Sequence, residues 1–291
     1  MVAGLIRSEA AIELVETGPR DGLQNLPHPV DPARKINLIN SLSDCGFRRI
    51  EAGSFVNPRR VPQMADSDRV FRGIRRASSV RYSALVPNLQ GLDAASVCGV
   101  DEIAVFVSAS EGFSKANVNA TVAGSLKRLQ PVVAEAGKLG LPVRGYVSCV
   151  VACPFDGPTP PISVASIAAK LIRMGCYEIS LGDTIGAGEP DTVKAMLRAT
   201  LDKVTAQRLA GHYHDTGGRA VDNILASIDL GLTVFDTAIS GLGGCPFAPG
   251  APGNVATELV HQTLREQGYK TGLSPEALRY ARRLARAMKS R

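Results

Sequence analysis

The chain of 291 residues has no tryptophan, and aromatic residues make up only 5% of it. Aliphatic side chains must therefore build the core, and an apolar share of 45% is ample for one. No apolar run reaches about 18 residues, which argues against a membrane-spanning helix. The first ten residues, MVAGLIRSEA, are too short and mixed for a secretory or transit leader. The last three, Lys289-Ser290-Arg291, are not the peroxisomal address. The six cysteines (Cys45, Cys98, Cys149, Cys153, Cys176, Cys245) include no C-x-x-C pair, and a chain this long needs no disulfide framework. Free thiols in a reducing compartment, and a cytoplasmic protein, are the expectation. No G-x-G-x-x-G follows the first strand and no G-x-x-x-x-G-K-[ST] occurs anywhere, so the dinucleotide and P-loop readings lack their phosphate cradles.

The charge is mildly basic, +6 net. Much of the excess lies in Arg72, Arg75, Arg76 and Arg81 and in the tail Arg279, Arg282, Arg283, Arg286, Lys289 and Arg291. The tail has helical spacing and reads as a solvated face rather than a nucleic-acid-binding arm. A basic surface also suits an anionic substrate.

Short apolar runs of strand type alternate with longer amphipathic stretches. The runs begin at Ile12–Glu16 and continue at Arg49–Ala52, Tyr82–Val86, Glu102–Val107, Val143–Val150, Glu178–Leu181, Leu209–Tyr213 and Val234–Ile239. Each is followed by a predicted helix, and a last helix covers about 275–290. Gly46, Gly99, Gly140, Gly175 and Gly231 each stand where a helix should end before a strand. Eight strand–helix units close naturally as a (β/α)8 TIM barrel. The expectation is one α/β domain over 1–291, with the barrel at about 12–268 and an extra C-terminal helix. An open doubly wound sheet is the competitor.

In such a barrel the chemistry gathers at the C-terminal ends of the strands. There stand Arg20 and Asp21, Glu51, Asn88, Ser108 and Ser110, Lys115 and Asn117, Ser148 and Cys149, Ser180 and Asp183, His212 and His214, and Cys245 and Asn254. His212 and His214, two apart on a strand, point to one face and can reach one metal. Asp215 is better read as a helix cap. Asp21, in a Gly-rich turn beside Arg20, is a carboxylate candidate for the same ion. Two imidazoles with carboxylate, amide oxygen and water suit Mg²⁺ or Mn²⁺, with catalytic Zn²⁺ as the alternative. The stretch Gly241–Asn254 holds five glycines and three prolines, a composition that excludes helix and strand and marks a loop of the functional or disordered kind. Its single Cys245 reads as a reactive thiol.

Three motifs carry a resemblance: Gly18-Pro-Arg-Asp-Gly-Leu-Gln24, Gly211-His-Tyr-His-Asp-Thr216 and Gly241-Leu-Gly-Gly-Cys-Pro246. Further matches are Ser54-Phe-Val56, Val61-Pro-Gln-Met64, Pro87-Asn88, Arg144-Gly-Tyr-Val-Ser-Cys149 and Gly175-Cys-Tyr-Glu-Ile-Ser-Leu-Gly-Asp-Thr184. Together they resemble the 3-hydroxy-3-methylglutaryl-CoA lyase family of TIM-barrel metallolyases, over about residues 12 to 272. The Cys loop is the most specific piece, since it separates the lyases from their synthase relatives.

The resemblance implies cleavage of a 3-hydroxy-3-methylglutaryl-CoA-like thioester to acetyl-CoA and a keto acid. It implies a divalent cation on Asp21, His212, His214 and Asn254. Arg20 would face the thioester carbonyl, Glu51 orient Arg20, and Cys245 protonate the enolate, with Asp183 or His212 as general base. Gln24, Asn117, Arg144 and Ser180 are the substrate-binding candidates. Asn254 has a second reading as a helix N-cap. Tyr213 replaces a Cys often found between the two His, and its side chain should point away from the metal. The stretch after Gln24 lacks a Lys often found there. The expected partners are an acyl-CoA substrate and a second copy of the chain in a homodimer, with no nucleic acid and no membrane. A bulkier 3-hydroxyacyl-CoA and a forward Claisen synthase are the rival activities.

Overall fold

The computed structural model describes residues 11–245 and 248–289, with side chains for all of these except 245 and 248–252. Eight parallel strands close into a barrel: β1 (Glu13–Glu16), β2 (Arg49–Ser54), β3 (Arg81–Leu85), β4 (Glu102–Ser108), β5 (Val143–Ser148), β6 (Glu178–Asp183), β7 (Leu209–Tyr213) and β8 (Val234–Thr237). Neighbours follow chain order, and β1 closes the ring against both β8 and β2, with Glu13 opposite Val234 and Glu16 opposite Ile50. Outside lie α1 (Pro32–Ser43), α2 (Ser67–Gly73), α3 (Leu89–Val97), α4 (Glu111–Val118), α5 (Val122–Lys138), α6 (Pro161–Met174), α7 (Pro190–Leu201), α8 (Ala220–Ile228), α9 (Thr257–Glu266) and α10 (Pro275–Lys289). This is the expected (β/α)8 barrel with its extra C-terminal helix.

Local chemistry explains the boundaries. Gly46, Gly99, Gly140, Gly175 and Gly231 all have positive φ, as helix-ending glycines require. Asp31, Asn88, Ser110 and Thr121 cap α1, α3, α4 and α5 by accepting amide protons from Ala33, Gly91, Phe113 and Gly124. Asn88 and Ser110 therefore serve helix starts, although their places after strands suggested the site. The helix α4 replaces an expected loop. Ser110 and the acidic Glu111 give it a start, but Phe113 is its one buried large apolar residue, so no periodic stripe betrays it.

Two corrections fall on the glycine- and proline-rich stretch. Its backbone forms an antiparallel ribbon, Gly244–Cys245 against Ala248–Pro252, where strand was excluded. A ribbon this short needs few amide donors, so proline is tolerated. The following helix begins at Thr257, with Ala256 at the cap position, so Asn254 is not its N-cap.

A closed parallel barrel has no solvent face: each strand alternates between the helix layer and the lumen. The helix layer packs the aliphatic core, among it Leu14, Ile50, Ile103, Val105, Val147, Ile179 and Leu181. The lumen holds charge. Arg49 Nε pairs with Glu13 Oε1 at 2.8 Å and Arg49 NH1 with Glu178 Oε1 at 2.8 Å. Arg144 pairs with Glu178 Oε1 at 2.7 Å and with Asp236 Oδ1 at 2.8 Å. Among the described residues no helix is long and apolar enough to cross a membrane.

Candidate active site

The chain leaves β1 through a π-helical turn, Gly18–Gly22, whose Arg20 and Asp21 amides bond back to the Thr17 carbonyl at 3.1 and 2.8 Å. Glycine is required at position 22, because a Cβ there would lie 2.6 Å from Leu242 Cβ and 2.9 Å from its carbonyl oxygen. Glu16, a residue outside all the sequence motifs, secures this turn. It is fully buried; its Oε1 accepts from the Gly18 and Ile239 amides at 2.9 Å each, and its Oε2 accepts from Thr257 Oγ1 at 2.8 Å. Burial pushes its pKa up to about 8, against the pull of those donors.

The turn delivers a buried cation. Arg20 Nε donates to Glu51 Oε2 at 2.7 Å and NH1 to Asp21 Oδ1 at 2.7 Å. Its guanidinium lies 5.6 Å from the Tyr146 ring centroid. The Arg20–Asp21 pair thus joins a buried guanidinium to a partly buried carboxylate. Glu51 is fully buried, and its other oxygen, Oε1, has no hydrogen-bond partner. Burial raises its pKa, with Arg20 opposing. Burial would raise Asp21 too, but Arg20, His212 and His214 pull it down to about 2.

His212 in β7 and His214 one residue past its end face the same way, as their spacing requires, with ring centroids 5.3 Å apart. Tyr213, between them, turns outward and meets Ser227 of α8 at 2.8 Å. Asp215 accepts from the Ala220 amide at the start of α8, the expected cap. One ligand atom from each of Asp21, His212 and His214 lies within 4.8 Å of the other two. His212 Nε2 stands 3.9 Å from Asp21 Oδ2, and its Nδ1 is 3.2 Å from Asp236 Oδ2. Burial opposes ionisation of Asp236, but the Arg144 charge and the His212 bond hold it well below the usual carboxylate range. An ionised carboxylate only accepts, so His212 donates from Nδ1 and turns the lone pair of Nε2 toward Asp21. His214 Nδ1 is buried with no hydrogen-bond partner. Burial, then the neighbouring His212, lowers His214 to about 4, which keeps its lone pair available at neutral pH. An unpaired imidazole nitrogen, a second imidazole oriented by a carboxylate and an ionised Asp21 together fit a divalent cation.

Asn254 joins the group from two residues beyond the glycine-rich ribbon, where its backbone bridges to His214. Its Nδ2 donates to Asp21 Oδ2 at 2.7 Å and to the Leu242 carbonyl at 3.2 Å. The side chain of Cys245 lies outside the described residues.

Other expected residues fall elsewhere. Both oxygens of Asp183 accept loop amides, Ala187 at 3.2 Å and Gly188 at 2.7 Å, so this carboxylate shapes the β6–α7 connection. Arg144 is buried in the lumen charge network. Ser180 Oγ donates to Asp236 Oδ2 at 2.7 Å, beneath His212. Both are engaged by lumen carboxylates, Arg144 by Glu178 and Asp236 and Ser180 by Asp236. Asn117 is exposed on α4. Gln24 is half-buried beside the Arg20–Asp21 turn, with Oε1 unpartnered. Sequence reasoning also missed Asp236. The available signal was a charged residue at a strand position in a fold with no solvent-facing strands.

Comparison with known proteins gives the family of the chain. The HMGL-like family model matches residues 11–285. The chain is 51% identical over 267 residues, 92% of this chain and 89% of the relative, to the 3-hydroxy-3-isohexenylglutaryl-CoA/hydroxy-methylglutaryl-CoA lyase of Pseudomonas aeruginosa. It is 49% identical over 268 residues, again 92% and 89%, to the hydroxymethylglutaryl-CoA lyase of Pseudomonas mevalonii. The solved HMG-CoA lyase of Brucella melitensis superposes with a TM-score of 0.96 at 58% identity, covering 97% of this chain and all of that one. With the model spanning nearly the whole barrel and relatives at half identity, this chain belongs to the HMGL-like family of lyases.

Proposed function

We propose that this chain cleaves 3-hydroxy-3-methylglutaryl-CoA into acetyl-CoA and acetoacetate. The observation that carries the reading is the Asp21–His212–His214 cluster beside the buried Arg20–Glu51 pair, in a chain about half identical to lyases bearing that name. Asp21, His212 and His214 would hold a divalent cation, with the amide oxygen of Asn254 as a further donor. The mixed nitrogen and oxygen donor set favours Mg²⁺ or Mn²⁺ over Zn²⁺. When bound, such an ion acts as a Lewis acid that lowers the pKa of the substrate's tertiary hydroxyl.

The residues of the chain divide the remaining work. Glu51 Oε1, buried, unpartnered and raised in pKa, takes the hydroxyl proton. His212 is poorly placed for that role, because Nδ1 is held by Asp236 and Nε2 faces Asp21. Asp183 is a positioning residue for the same reason: its oxygens are already engaged. As the C2–C3 bond breaks, its electron pair passes to C2 and delocalises onto the thioester oxygen. Arg20 stabilises that oxygen; its Nε and NH1 are engaged by Glu51 and Asp21, and none of the described hydrogen bonds uses NH2. Cys245 gives its proton to C2, yielding acetyl-CoA, and is reprotonated before the next turnover. Arg144 and Ser180 act through Asp236, and Gln24 and Asn117 remain for the CoA portion. The five described cysteines are free thiols, which suits the cytoplasm.

A bulkier branched substrate is the second reading, favoured by the double name of the Pseudomonas aeruginosa relative. The test is release of acetyl-CoA and acetoacetate with Mg²⁺ or Mn²⁺ and with EDTA, in wild type and Cys245→Ala. Metal-dependent turnover that falls by orders of magnitude in the variant is expected. No turnover by folded, metal-loaded protein refutes the substrate and moves the search to longer branched acyl-CoA thioesters.

A further inference from the structure

The basic tail is more than a solvated face. Helix α10 buries Leu278, Ala281, Ala285 and Met288, packing on α1 and on the turn Ile239–Gly241 that opens the glycine-rich stretch. Two of its cations have specific partners. Lys289 Nζ donates to the carbonyls of Ser240 at 2.9 Å and Gly241 at 3.1 Å. Arg282 Nε lies 2.9 Å from Glu258 Oε1, and Glu258 Oε2 accepts from the Ser240 amide at 2.9 Å.

Ser240 is therefore gripped at both its amide and its carbonyl. It is also strained: its φ of 59° is in the left-handed region, where a non-glycine residue persists only if its surroundings hold it. The strain matters because this turn leads directly into the site. Leu242 is fully buried, its carbonyl accepts from Asn254 Nδ2, and its side chain and backbone press on Gly22 of the Arg20–Asp21 turn. The Gly241 position lies equally close to Asn254: a Cβ there would be 3.3 Å from the Asn254 carbonyl oxygen.

We propose that Lys289, Arg282 and Glu258 are positioning residues of the active site, a clamp from the C-terminal helix that holds Ser240 in its left-handed conformation and so places Leu242 and Asn254 against Asp21. This rests on reading Asp21 and Asn254 as metal ligands. The clamp is assembled from α9 and α10, outside the barrel mouth, and none of its three residues touches the Asp21–His212–His214 cluster.

The experiment uses the full chain with Lys289→Met, which keeps the packing of the stem, Lys289→Arg, and Glu258→Ala. The Mn²⁺ dissociation constant, kcat, KM and melting temperature are measured for each. Lys289→Met and Glu258→Ala should weaken Mn²⁺ by about threefold to tenfold, less than the roughly 10- to 100-fold typical of groups bonded directly to a ligand, because the clamp acts through Ser240 and Leu242. In Lys289→Met the loss should fall on kcat rather than KM, with melting within about 2 °C of wild type. Lys289→Arg should restore Mn²⁺ affinity. Wild-type Mn²⁺ affinity in both Lys289→Met and Glu258→Ala overturns the clamp. If wild type itself binds no Mn²⁺, the metal reading fails, and the clamp is judged by alkylation of Cys245, four residues beyond Gly241, followed on its own peptide by mass spectrometry. A rate changed about threefold or more in both variants supports the clamp, and an unchanged rate overturns it.

Discussion

Asp236→Asn is the sharpest probe of how the lumen serves the metal pair. In the wild type, Asp236 makes three contacts at once: Ser180 Oγ at 2.7 Å, His212 Nδ1 at 3.2 Å and Arg144 NH1 at 2.8 Å. The substitution keeps the shape but removes the charge. Asn can present its oxygen to His212, in which case its NH₂ group faces the Arg144 guanidinium, donor against donor. Arg144 then has only Glu178, already shared with Arg49, to balance a buried charge. Breaking a buried pair in this way costs about 3–5 kcal/mol. The alternative amide orientation relieves Arg144 but points an NH₂ group at His212, which flips the imidazole tautomer and removes the lone pair from Nε2. Either way metal affinity or kcat should fall by about 10- to 100-fold, the usual effect of losing a carboxylate behind a ligating histidine. Mn²⁺ titration, steady-state turnover and thermal melting separate the two routes. Adding Arg144→Met to Asp236→Asn should recover much of the lost stability, because the stranded cation is gone, without recovering metal affinity. A single Asp236→Asn variant that binds Mn²⁺ within about threefold of wild type would falsify the claim that Asp236 orients His212.

Which parts of this arrangement could be read in the sequence depends on how local their cause is. The barrel was legible because each strand–helix boundary carries its own mark, such as the left-handed Gly175 or the cap on Asp31. The histidine pair was legible because period-two geometry alone fixes which way His212, Tyr213 and His214 face. The lumen was harder. Arg49, Arg144, Glu178 and Asp236 sit at strand positions where polarity suggests a solvated face, and only barrel closure turns that face inward. Once closure is granted, alternation puts Arg144 beside Asp236 and Glu178, where it supports the site from below. Glu16 was invisible for a different reason. Its partners come from positions 18, 239 and 257, and no local pattern connects them. Asn254 shows the same limit: an Asn a few residues before a helix reads as a cap until tertiary structure brings it to Asp21.

Three further outcomes rest on named contacts. Arg20→Gln should lower kcat/KM by more than about tenfold, or about 1.4 kcal/mol; a smaller loss removes Arg20 from the stabilisation of the thioester oxygen. Gly22→Ala must push its Cβ against Leu242, a backbone-held contact of 2.6 to 2.9 Å, and should destabilise by about 1–3 kcal/mol in denaturant unfolding; an unchanged midpoint means that the turn and Leu242 move apart freely. Glu16 supplies a test with a defined sign. Its folded pKa, about 8, lies above the ordinary carboxylate value near 4.5, so between these pH values the folded chain holds a proton that the unfolded chain releases. Stability must then decline as pH rises from about 4.5 to 8, by at most about 5 kcal/mol from this group. Glu16→Gln keeps an oxygen for the Gly18 and Ile239 amides and an NH₂ group to donate to Thr257 Oγ1, which can pass its own proton on to Thr237. The variant should therefore fold, and it should lose that part of the decline when unfolding is followed across the same pH range. A variant whose stability falls with pH as steeply as wild type would show that Glu16 is ionised in the folded chain, and that the three donors around it outweigh its burial.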